Sequence, residues 1–122
     1  MAQEKMISNK TIEFSWEDER GVKKDYVLEF TRKSVEKAEK MGFVVEDLDN
    51  KPVSTFPLFF YTAFIEHHPF VKRAQTDEIY FAMKNRNELI SALVEMYRDT
   101  LESLVEDSEE KESKNVEWTK NW

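Results

Sequence analysis

The run Phe56-Pro57-Leu58-Phe59-Phe60-Tyr61-Thr62-Ala63-Phe64-Ile65 is the longest apolar stretch of the chain, and it constrains everything around it. At helical spacing, Phe56, Phe59, Phe60, Ala63, Phe64 and His67 fall on one side, while Leu58, Tyr61 and Ile65 carry apolar surface almost all the way round. A helix of that kind is central and covered on most faces. It is too short to cross a bilayer, which takes about 20 apolar residues. The rest of the chain must therefore wrap it. Ser54 or Thr55 is the expected N-cap, Pro57 falls near the first turn, and His68-Pro69 ends the helix.

Two segments upstream alternate with a period of two. In TIEFSW, Ile12, Phe14 and Trp16 share a face, and in DYVLEF, Tyr26, Leu28 and Phe30 do the same. The polar stretch between them holds Gly21, a candidate for a turn position with positive φ. The pattern predicts a β-hairpin with one apolar face, and two strands alone are marginal, so helices must cover that face. Thr31 is placed to cap a helix over RKSVEKAEKM, in which Val35, Ala38 and Met41 repeat at three-residue spacing and Gly42 stands at C′. Phe43, Val44 and Leu48 read as buried anchors of a connector. Thr76 reads as the cap of a helix in which Ile79, Ala82 and Met83 face inward. A last helix, capped by Asn85 or Asn87, runs to Asp107 with Leu89, Leu93, Met96, Leu101 and Leu104 along one seam.

The predicted class is α+β: an N-terminal β-hairpin packed on a mainly α-helical bundle of about four helices. Residues 1–106 form this single domain. Residues 107–122 form an acidic linker and a C-terminal tail with Trp118 and Trp122, two of the chain's three tryptophans. Two glycines and three prolines in 122 residues argue for a helical chain, and 40% hydrophobic residues suffice for a core. With no cysteine, disulfides and thiolate metal sites are excluded. The start of the chain, MAQEKMISNK, has no apolar run of the secretory type.

Little points to chemistry. Glu66-His67-His68 is the only histidine cluster, and adjacent helical residues point to different sides, so no metal site is expected. Two distant glycines give no phosphate loop, and no serine stands in a nucleophile motif. The net charge of −7 comes without a basic stripe, so nucleic acid is not an expected partner. The expectation is a non-enzymatic binding protein without cofactor or catalytic residues. Aromatic side chains that could meet a partner are Phe56, Phe59, Tyr61, Trp118 and Trp122. Against that stands the simpler expectation that Phe59, Phe60, Phe64, Leu93 and Met96 are core.

The strings YVLEFTRKSVEKAEKMGF, FPLFFYTAFIEHHPFVKR, IYFAMKNRNELISALVEMY and the terminal VEWTKNW resemble a small family of proteins from Gram-positive phages and prophages. In size and layout that family is similar to phage tail assembly chaperones. The resemblance covers roughly residues 11–122. It implies a protein of the bacterial host's cytoplasm that binds the tape measure protein, keeps it soluble and helps recruit tail-tube subunits, with no membrane partner. Such a protein can form homo-oligomers, and a frameshifted longer form is common in the class. The competing class is a phage-encoded adaptor or inhibitor that binds a host bacterial protein.

Overall fold

The computed structural model describes residues 10–105 and 119–121. The chain opens with strands β1 (Ile12–Glu17) and β2 (Lys23–Leu28), followed by helices α1 (Arg32–Lys40), α2 (Asp47–Asn50), α3 (Pro52–Thr62), α4 (Arg73–Ala82) and α5 (Arg86–Val105). This is the expected α+β arrangement, with α2 added as a single turn inside the connector.

The hairpin forms where alternation places it. Its antiparallel register pairs Ile12 with Leu28, Phe14 with Tyr26 and Trp16 with Lys24. The Asp18 amide donates to the Val22 carbonyl, and the Gly21 amide donates to the Asp18 carbonyl. Gly21 has φ +81°, which gives the type I turn plus left-handed residue of a three-residue hairpin loop. The Asp18 carboxylate fixes the loop by accepting from the amides of Val22 and Arg20, each at 2.9 Å. Those bonds, that of Val22 foremost, hold its carboxyl below the usual range.

The hairpin's apolar face lies on α3. Phe14 stacks on Tyr26 and Phe60 and meets Phe64 edge-on, with ring centroids 5.4–6.4 Å apart. The predicted core residues Phe59, Phe60, Phe64, Leu93 and Met96 are all buried. Thr31 caps α1 as expected. Ser34 donates its amide to Thr31 Oγ1, and the Thr31 amide donates back to Ser34 Oγ. Gly42 follows with φ +91°, the left-handed residue that ends the helix.

Several boundaries differ from expectation, each for a local reason. Helix α3 starts at Pro52, not after Thr55, because proline at the first helical position loses no intrahelical bond. Pro57 is then interior, where the bond to the Val53 carbonyl is forgone. Thr76 is not a cap. It is buried within α4 and donates its hydroxyl to the Arg73 carbonyl at 3.1 Å, so its polar group is satisfied locally. Ala82 is exposed at the end of α4 and does not face inward. Asn85 takes φ +55°, a left-handed conformation asparagine tolerates, and α5 begins at the next residue.

Candidate partner-binding groove

After Gly42 turns the chain, Phe43 dives into the core and lies flat on Phe59, with centroids 4.8 Å apart and planes 5° off parallel. Phe59 stacks on Phe30 from its other side at 5.2 Å, and Tyr97 meets Phe30, Phe43 and Phe59 edge-on. Phe43, Phe59 and Tyr97 of this four-ring cluster form a floor. Val44 and Val45 follow Phe43 but stay at the surface, 47% and 40% exposed. With Leu48 of α2 they make one wall of a groove of about 490 Å³, and Val94, Tyr97, Arg98 and Leu101 of α5 make the other. Beyond it, α5 continues as exposed apolar surface at Leu104 and Val105. The mouth carries Glu39 and Glu46 against a single cation, Arg98. Desolvation raises the Tyr97 hydroxyl pKa above its ordinary value, with Glu39 adding to the effect. The site can hold an apolar side chain or helix face by burial. It presents no nucleophile and base in the arrangement that acyl or phosphoryl transfer would use.

The sequence-predicted partner residues sit elsewhere or beneath this surface. Phe59 is 0% exposed, so it serves the core as the groove's floor and is not a contact residue. Its position one helical turn from both Phe56 and Thr62 faces it into the ring cluster, where burial is favoured over exposure. Phe56 and Tyr61 are half-buried and do not line the groove. Trp118 and Trp122 lie outside the described residues. The groove walls were missed because Val44 reads as an anchor like its neighbour Phe43. A signal was present: with Phe43 turned inward after the helix-ending Gly42, the two successive valines that follow cannot both point inward. The seam of α5 also runs on to Leu104 and Val105 past its last buried residue, Tyr97.

Helix α3 ends at Thr62 and not at His68 as the sequence suggests, and the histidines staple the hairpin to the turns that follow it. Val27 donates its amide to His68 Nε2 at 3.0 Å, so that nitrogen carries no proton. His67 Nε2 lies 2.7 Å from the buried Glu29 carboxylate, which can only accept, so there the nitrogen does carry one. Neighbouring rings thus use the same nitrogen in opposite roles and reach different partners. Desolvation lowers the His68 pKa, with His67 and Lys24 adding to it. Among the described residues, no group of three or more His, Asp or Glu is placed to hold a metal ion. Nor is any described helix long and apolar enough to cross a membrane.

The chain belongs to the family described as a domain of unknown function, DUF5055, whose match spans residues 6–122. No curated protein and no solved structure matches it.

Proposed function

We propose that this protein is a non-enzymatic phage tail assembly chaperone, which binds and solubilises a tape measure protein and helps recruit tail-tube subunits in the host cytoplasm. The observation that supports the reading is the groove between the Val44–Leu48 segment and α5. Its walls are apolar and open while the core beneath is closed, and its length continues along the exposed end of α5. A surface of that kind suits an amphipathic helix with anchors at helical spacing. The strings that resemble the tail-chaperone-like phage family supply the partner.

Co-expression with the tape measure protein encoded nearby tests this directly. The expected result is a soluble complex, and Val45→Asp should release the partner into the insoluble fraction without changing the melting temperature. A tape measure protein that stays insoluble with the wild-type chain refutes the chaperone role. Capture of a host protein through the same groove would identify the protein as an adaptor.

A further inference from the structure

Among the described residues, no strand pairs with the outer edge of β1. The register and the Asp18–Val22 bond together put residues 12, 14 and 16 in hydrogen-bonded pairs with β2. The odd-numbered residues of both strands therefore point their amides and carbonyls away from the hairpin. On the β2 side two of those amides are used, while Lys23 and Asp25 have no outward backbone partner among the described residues. Val27 donates to His68, and Glu29 donates to the Ala63 carbonyl at 3.0 Å. On β1 the outward groups of Thr11, Glu13, Ser15 and Glu17 have no backbone partner among the described residues. The side chains of Ile12, Phe14 and Trp16, on the apolar face of the same edge, are only half-buried. An edge like this is a template for another strand.

We infer that β1 pairs antiparallel with β1 of a second copy, making a four-stranded sheet about a two-fold axis at Phe14. The charge pattern selects both the occupant and the register. With Phe14 opposite itself, Glu13 lies opposite Ser15 of the second copy, and Glu17 lies opposite Thr11. Each β1 carboxylate then lies opposite a hydroxyl residue and not a like charge, with Ser15 turning from the bond it donates to Asp25 in its own hairpin, and every outward backbone group of β1 gains a partner. A shift of two residues in one direction sets Glu13 against Glu13. The same shift in the other direction sets Glu13 against Glu17. Like charges directly opposite are destabilising. A shift by one residue would turn outward groups toward inward ones. On the apolar face the same register places Trp16 beside Ile12 of the second copy and joins the two Phe14 rings. The interface is isologous, as a two-fold axis requires.

The chain contains no cysteine, so single-cysteine variants report the register directly. Glu13 and Ser15 are both exposed. In a hydrogen-bonded antiparallel pair the Cα atoms are about 5.5 Å apart, within disulfide range. Under mild oxidation, a mixture of the Glu13→Cys and Ser15→Cys proteins should form the mixed disulfide dimer at least tenfold faster than either protein alone. Sedimentation of the wild type across a micromolar series should show a dimer. Ser15→Pro removes one outward amide while sparing the β1–β2 ladder, and should abolish the dimer while keeping the hairpin folded. A wild type that stays monomeric throughout overturns the inference. So does equal crosslinking in the mixture and the two controls, and so does a folded Ser15→Pro protein that still dimerises. If Ser15→Pro fails to fold, the crosslinking rates decide alone.

Discussion

Phe59 and Phe64 are both 0% exposed, yet the same truncation should cost different amounts at the two sites. Replacing a buried phenylalanine by alanine removes about 3–5 kcal/mol, and the value depends on how well the site collapses. Phe64 sits among Phe14, Tyr26, Phe60 and His68, clamped between the hairpin and α3. The hairpin cannot sink without breaking the bonds from Val27 and Glu29, so Phe64→Ala should lie near the top of the range, about 4–5 kcal/mol. Phe59 sits beneath the groove, where Phe43 and Leu48 can settle into the vacated volume. Phe59→Ala should therefore cost about 3 kcal/mol. For a chain of this length each kcal/mol lowers the melting temperature by about 3–5 °C, giving drops of about 9–15 °C for Phe59→Ala and about 12–25 °C for Phe64→Ala. Phe70→Ala is the control, because Phe70 is 92% exposed and should stay within about 0.5 kcal/mol of wild type. Urea unfolding followed by far-UV circular dichroism gives all three values. If Phe59→Ala costs as much as Phe64→Ala, the groove does not relax as argued. If either matches Phe70→Ala, the core assignment fails.

Because folding depresses the His68 pKa, the unfolded chain binds the proton first as pH falls. The stability from the His68–Val27 bond is thus complete above about pH 6.5 and is lost progressively below it. His68→Gln, whose side-chain oxygen can accept from Val27, should flatten that limb in melts between pH 7.5 and 5.5. Thr31→Ala removes both the cap of α1 and the hydroxyl that donates to Glu66 at 2.8 Å, and should cost about 1–2 kcal/mol by denaturant titration. Gly42→Ala meets nothing within 4 Å, so its cost is backbone strain alone, about 1 kcal/mol, and a larger loss would show that the space at Gly42 is not free.

What the sequence conveyed well was the interior. Period-two alternation located the hairpin, and Thr31 as N-cap located the start of α1. Helical periodicity identified the buried members of α3 and α5. Each of these signals is local, repeated and tied to burial. What it conveyed poorly was set by long-range partners. The acceptor for the Val27 amide stands 41 residues away at His68, and no spacing rule connects them. Thr55 and Thr76 looked like caps because a hydroxyl before an apolar run is ambiguous. It can accept from the next turn's amides or donate back to a carbonyl three residues earlier, and tertiary burial decides. The groove walls fell into the same gap, since Val44 differs from Phe43 only in what the rest of the fold places over it.

The ring cluster at Phe30, Phe43, Phe59 and Tyr97 is the centre of the core, and all of it but Phe30 is also the floor of the groove, which dictates how function can be separated from stability. A substitution on the floor removes buried aromatic surface and changes the groove's shape at once, so loss of partner binding there would carry no information. The walls are different. Val44 and Val45 are held by the backbone that Gly42 and Phe43 set, and at 47% and 40% exposed they bury less than the closed ring of Phe59. Polar replacements at Val45 therefore disturb the core less than those on the floor. The hairpin edge lies on the far side of α3's aromatic face, reached through Phe14 and not through Phe59. Variants at Glu13 or Ser15 should therefore leave groove binding intact, and variants at Val45 should leave self-association intact. Coupling between them would have to pass through Phe60 and Phe64, two closed-packed residues whose displacement would also register as a loss of melting temperature.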